Sequence, residues 1–321
     1  MQKEQTLYGY VLDEAVELLP PTICKREFVS VVALFDDPSP SVESAIASKI
    51  AQWGSDCAPS LRLLSLKSED KLERLRATEF LQSFQLQYLK KVWDLFVEAK
   101  SVAQDVNLED VVLLLSGFGY PETNPSDIRQ YFDTMALKVH AHFMKLEVHS
   151  ELNLLFCLNR VFFEEYQFRA PESTRYYDTD NTYLHTFIQY RIGKSITLAT
   201  AYILVAERCG IEMYGVGLPA YFTVYHPALD LYIDPLNNGA FLSKDDCKEL
   251  IEQSVDYDEK YLRHSSHIHI VLRMMWNLIM CYVNMGNHAE QLSDTDIKPG
   301  AWERVQLEEY HQKIHALADE Q

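Results

Sequence analysis

The chain has 321 residues, 47% of them apolar and 24% charged, enough to bury two or three domain cores in an ordinary globular protein. Its 47 acidic residues outnumber 29 basic ones, and the formal charge of −18 opposes binding to nucleic acid or an anionic membrane, both of which need clustered Lys and Arg. Lys90-Lys91, the densest basic cluster, is too short to be a footprint for either. The opening MQKEQTLYGYVLDE is charged where a signal peptide is apolar, and no run of about eighteen apolar residues occurs, so the expectation is a cytoplasmic protein without a membrane partner. Six cysteines, Cys24, Cys57, Cys157, Cys209, Cys247 and Cys281, are scattered with no C-x-x-C pair, which predicts reduced, mostly buried thiols. No pattern requires a metal or a cofactor.

Residues 26–105 read as consecutive helices. Val42, Ile46, Ile50 and Trp53 form one helical stripe and Leu72, Leu75, Phe80 and Leu81 another. Between the first two helices stands Asp36-Asp37-Pro38-Ser39-Pro40-Ser41, whose prolines break one helix and whose serine can cap the next; Ser68-Glu69-Asp70 precedes a similar helix one repeat length later. This spacing resembles the turn that joins paired helices in HEAT repeats, and it implies a HEAT-like helical domain over residues 1–106.

Three further helices follow, beginning at Val111, Ile128 and Leu152. After Pro171-Glu172-Ser173-Thr174 come Tyr176 to Asp180, an amphipathic helix from Thr182 to Tyr190, and Arg191-Ile192-Gly193. Ser195 to Arg208 is apolar enough for a buried helix, with Gly210 as its stop. Strands are expected at Met213–Val216, Tyr221–Tyr225 and Leu231–Ile233. A buried helix against a small antiparallel sheet is an α+β core in a predominantly helical chain. The last helices, Ile268–Met285 and Trp302–Ala318, are separated by a predicted turn at Gly286-Asn287 and look similar to a tetratricopeptide-type hairpin over residues 256–321.

The chemistry concentrates between residues 181 and 239. A nucleophile at the start of a buried helix, a histidine on a following strand and an acid on the next would together serve acyl transfer. The stretch Asn181-Thr182-Tyr183-Leu184, Arg191-Ile192-Gly193, Thr197-Leu198, Tyr202, Val205-Ala206-Glu207-Arg208-Cys209-Gly210, Gly215-Val216, Leu218-Pro219-Ala220-Tyr221-Phe222, Ile233-Asp234-Pro235 and Gly239 resembles the SirB-type branch of the transglutaminase-like superfamily. Arg273-Met274-Met275-Trp276-Asn277-Leu278 is similar to a helix that follows in that family. The resemblance implies a transglutaminase-like domain over residues 107–255.

Enzymes of that superfamily use Cys, His and Asp, and the resemblance carries those roles onto a damaged set. The nucleophile position falls on Ser195 or, in a second register, on Thr197. The histidine position falls on Tyr221, and only the acid survives, as Asp234. Neighbouring residues do not repair the loss. His226 is five residues beyond Tyr221 and on a regular strand would face the other way; Cys209 is at the far end of the helix from Ser195, about 21 Å along its axis; His185 lies in the preceding helix. A serine without a base stays protonated, and the ordinary pKa of tyrosine, about 10, makes it a weak base. Asp234 before Pro235 also serves as a turn device. Lys194 replaces an apolar residue of the family pattern at the helix start.

His264, His267 and His269 form H-x-x-H-x-H, which puts two histidines on one helical face as a metal site would; the commoner meaning is a polar helix entrance. Tyr176-Tyr177 reads as aromatic packing of a loop. The leading expectation is a noncatalytic transglutaminase-like protein that binds a protein or peptide partner. Its rival is a hydrolase or acyl transferase on amide bonds using Ser195 or Thr197, Tyr221 and Asp234. A third is regulation of gene expression through protein partners, implied by family naming alone.

Overall fold

Apolar residues recurring every three to four positions wind most of the chain into helix, and a computed structural model describes residues 2–290 and 300–319. The helices are α1 (Gln2–Glu17), α2 (Lys25–Val32), α3 (Pro40–Trp53), α4 (Ala58–Lys67), α5 (Lys71–Ser101), α6 (Leu108–Gly119), α7 (Pro125–Phe143), α8 (Glu151–Asn159), α9 (Leu184–Tyr190) and α10 (Ser195–Arg208). Four strands follow, β1 (Tyr214–Val216), β2 (Thr223–His226), β3 (Leu231–Asp234) and β4 (Ala240–Leu242), then α11 (Lys244–Glu252), β5 (His264–Ser265), α12 (His267–Glu290) and α13 (Ala301–Asp319). Residues 291–299 and 320–321, within the expected 256–321 region, lie outside the described residues.

The described residues divide into two compact units, those within 2–91 with 114–123, and those within 92–113 with 124–290 and 300–319. In the first, Phe28, Ile46, Ile50, Leu61 and Leu64 belong to one buried cluster. α1 packs on α4, where the buried Ser60 hydroxyl donates to the Ala15 carbonyl at 2.7 Å. Ser39 stands at the N-cap of α3, as expected, but its side chain makes no capping bond. Pro40 occupies the first turn, and the Ser39 hydroxyl bonds that of Ser41 instead. Asp70 does cap α5, accepting from the amides of Leu72 and Glu73.

The second unit is built on α10. Every residue from Ser195 to Ala206 is buried, which is why this stretch reads as apolar on all faces rather than along one stripe. α10 packs against β1 and β2 of an antiparallel sheet ordered β4-β3-β2-β1-β5. Val224 of β2 pairs with Ile233 of β3, both fully buried. Three expected strands are present, though β2 begins at Thr223, so Tyr221 sits in the turn before it. Gly286 is not a turn: α12 continues through it to Glu290, because the apolar seam outweighs the roughly 1 kcal/mol that an interior glycine costs. By length and composition, His267–Asn287 of α12 is long and apolar enough to cross a membrane, and half of that stretch is buried inside the fold, where α12 packs on α10 and α13. The described cysteines are free thiols, all buried except Cys24.

Candidate functional site

The site is assembled where α10 begins. Arg191 closes α9 in the left-handed region at φ 59°, and the Gly193 amide donates to the Arg169 carbonyl at 3.0 Å. A side chain at Gly193 would run into Phe187 at 2.7 Å, so this close approach requires glycine. The Asn181 carbonyl accepts from the Lys194 amide at 3.1 Å and from the Thr197 hydroxyl at 2.9 Å. The Asn181 side chain in turn donates to the Arg175 carbonyl. Asn181, first in the sequence signature, is thus the clasp that fixes the start of α10.

Ser195 is the first residue of α10 and Thr197 is fully buried within it. Among the described residues no hydrogen bond links either hydroxyl to Tyr221, to Asp234 or to a histidine. The Thr197 hydroxyl is committed to Asn181, a structural use rather than a nucleophilic one.

Tyr221 and Asp234 are brought together. The Tyr221 phenol donates to Asp234 Oδ1, and the same oxygen accepts from the amides of Leu236 at 2.9 Å and Asn237 at 3.2 Å. Asp234 therefore caps the short helical turn Pro235–Asn237 while anchoring Tyr221. Burial, the hydrogen bond to Asp234 and the neighbouring carboxylate charge push the Tyr221 phenol well above its ordinary pKa. It stays a protonated donor and cannot serve as a base. Cys247 of α11 lies beside this pair, and burial first of all pushes its thiol up to about 12. A thiol so placed is inert rather than nucleophilic.

Two further contacts hold the pair. Arg273 of α12 donates to the carbonyls of Leu218 and Tyr221, at 2.8 and 2.7 Å, clamping the turn that presents Tyr221. That turn contains Ala220 at φ 56°, a left-handed conformation that strains a non-glycine residue by about 1–2 kcal/mol. On the other side, the Tyr202 phenol of α10 donates to Asn159 Oδ1 at 2.6 Å, and Asn159 Nδ2 donates to the Gly239 carbonyl at 2.8 Å. Gly239, at φ 75°, returns its amide to the Asp234 carbonyl. Tyr202 and Gly239 belong to the sequence signature, while Asn159 and the Arg273 clamp were not legible as site residues. A lone cation in the apolar run around Arg273 was the available signal.

His226 is fully buried away from this pair's hydrogen bonds: its Nδ1 accepts from the Leu229 amide at 3.2 Å, and Nε2 lies 3.3 Å from Glu151 Oε1 without hydrogen-bond alignment. It shapes the β2–β3 turn. His264 stacks on Tyr214, His267 bonds the Val106 carbonyl, and His269 bonds Ser266. No cluster of three metal-binding side chains exists among the described residues. Lys194, the N-cap of α10, is 1% exposed; its ammonium lies 4.9 Å from the Tyr176 ring centroid and 2.9 Å from Cys281 Sγ, with no carboxylate partner among the described residues.

A buried helix opens at Ser195 and packs on an antiparallel sheet, Tyr221 in the turn before β2 is bonded to Asp234 at the end of β3, and residues 126–276 match the family described as Transglutaminase-like superfamily. This chain carries a transglutaminase-like domain. It is 28% identical over 190 residues to a UPF0162 protein of Xylella fastidiosa, covering 55% of this chain and 65% of the relative's length. It is also 26% identical over 132 residues to human F-box only protein 21, covering 38% of this chain and 21% of that protein. No solved structure matches. Ser195, Thr197, Tyr221 and Asp234 all lie within the matched span.

Proposed function

We propose that the chain is a noncatalytic member of the SirB-type branch of the transglutaminase-like superfamily, acting in the cytoplasm as a protein-interaction or regulatory module. The observation that carries this reading is the Tyr221–Asp234 hydrogen bond. Asp234 Oδ1, on the acid that would orient a histidine, is held by a phenol and two backbone amides, and among the described residues neither the Ser195 nor the Thr197 hydroxyl is hydrogen-bonded to a carboxylate or a histidine that could accept its proton. Loss of one triad member in well-studied hydrolases lowers the rate by about 10⁴ or more, and two such positions are replaced here.

The flanking helices fit a binding role. A HEAT-like region over residues 1–106 and a tetratricopeptide-like pair within 256–321 would offer extended surfaces to a protein or peptide partner. The net charge of −18 argues against nucleic acid as that partner. The test is an assay of the purified full chain on peptide and glutamine-amide substrates together with affinity capture at low salt. Absence of turnover with recovery of a specific protein partner supports the proposal; turnover, or no specific partner, defeats it.

A further inference from the structure

One buried cation in the transglutaminase-like domain has an unusual neighbour. Lys194 is 1% exposed, and no carboxylate meets its ammonium among the described residues. What meets it is Cys281 Sγ of α12, at 2.9 Å and itself fully buried. A buried charge is costly unless it is well paired, and a thiol sulfur is a weak acceptor. The Tyr176 and Tyr177 rings also stand against the ammonium, their centroids 4.9 and 5.6 Å from Nζ.

The contact has a direction. The Cys281 thiol donates to the Asp178 carbonyl at 3.8 Å, a long bond that turns the S–H toward that oxygen and leaves sulfur lone pairs for Nζ. Both residues are anchored by the backbone. The Lys194 amide donates to the Asn181 carbonyl at 3.1 Å at the N-cap of α10, and Cys281 lies inside α12, which packs on α10. The nitrogen–sulfur separation is too long for a direct covalent bond and leaves space for one oxygen atom bonded to both. One turn further along α12, Asn284 and Met285 line a surface pocket with Tyr177 and Asp178, which brings a small oxidant close to the pair. Burial pushes the Cys281 thiol up while Lys194 pulls it down, so its oxidation is slow rather than blocked.

We propose that Lys194 and Cys281 form a redox modification site, which dioxygen joins covalently through a nitrogen–oxygen–sulfur bridge. The S–H bond and two N–H bonds of the ammonium break, one S–O and one N–O bond form, and the second oxygen atom leaves as water with release of a proton. Sulfur and nitrogen each give up two electrons and dioxygen takes the four; two molecules of hydrogen peroxide serve equally, leaving three of water. Two molecules of a dithiol reverse the step to thiol, amine and water. The bridge ties the N-cap of α10 to α12 across 87 residues and uses none of Ser195, Thr197, Tyr221 or Asp234.

Peptide mapping of the full chain by mass spectrometry tests it. Protein purified under dithiothreitol is desalted and held for hours with millimolar hydrogen peroxide at about pH 8.5, near the ordinary thiol pKa. Digestion is expected to yield a peptide carrying Lys194 joined to one carrying Cys281, about 14 Da heavier than the two together, one oxygen gained and two hydrogens lost. Dithiothreitol separates them. Lys194→Met, or Cys281→Ala should the first lose helical circular dichroism, is expected to abolish the joined species. Recovery of Cys281 unmodified, as a sulfinic acid or in a disulfide, with Lys194 unchanged, overturns the proposal. So does a joined pair about 2 Da lighter than its parts, which is a direct sulfur–nitrogen bond, or a joined species that survives dithiothreitol.

Discussion

Replacing Tyr221 by Phe removes one hydroxyl and keeps the ring, so it isolates the bond to Asp234. A hydrogen bond to a charged acceptor contributes about 1.5–3 kcal/mol, and because Tyr221 is only half-buried, water can partly replace the phenol, which places the loss near 1.5 kcal/mol. Asp234→Ala is more severe. It strips the amides of Leu236 and Asn237 as well as the Tyr221 phenol of their acceptor in a buried setting, a loss of about 3–5 kcal/mol. The double variant should then show a coupling of about 1–2 kcal/mol, since the second substitution removes a partner already lost. Urea unfolding of the four proteins reads these values directly, with unchanged m-values as the check that only stability moved. A Tyr221→Phe loss under about 0.5 kcal/mol, with coupling indistinguishable from zero, would refute the structural use of this pair.

Three other outcomes follow from the same geometry. Burial pushes Cys57, Cys209 and Cys247 from 9.0, and Tyr232 from 10.0, up to about 12; the folded state keeps protons that the unfolded chain releases, so this stability is fully present below pH 9 and is lost as pH rises toward 12. Denaturant midpoints measured from pH 8 to 12 should fall across that window, and a flat profile would contradict the assignment. Lys194→Met replaces a buried ammonium that has no carboxylate partner among the described residues with an apolar chain of similar length, and unfolding should show a neutral or stabilising change; a loss above about 2 kcal/mol would mean that the Tyr176 and Cys281 contacts outweigh the desolvation of the charge. Ala220→Gly relieves the left-handed strain before Tyr221 and should raise stability by about 0.5–1 kcal/mol, whereas a loss would show that the turn is unstrained.

The parts of the fold legible in the sequence are those whose signal is local and continuous. Ser195–Arg208 was bounded correctly because an uninterrupted apolar run meets Gly210, which takes φ 74° at the stop. β4 and β5 escaped because strands of three and two residues carry no alternation to detect. Gly286 misled for the opposite reason, a strong local signal overridden by packing along α12. At the site, the capping role of Asp234 was readable from Asp-Pro. The environment of Lys194 was not, since Tyr176 and Cys281 reach it from segments far apart in sequence. The Arg273 clamp likewise joins α12 to a turn more than fifty residues earlier.

Acyl transfer from Ser195 or Thr197 needs a proton acceptor, none is hydrogen-bonded to either hydroxyl among the described residues, and turnover is the most direct measurement of its lack. The purified full chain, incubated with peptide and glutamine-amide substrates and followed by ammonia release and mass change, is expected to match buffer alone, with Ser195→Ala, Thr197→Val and Tyr221→Phe indistinguishable from the parent. Release above buffer that any one of those three substitutions removes, while the variant remains folded, would contradict it.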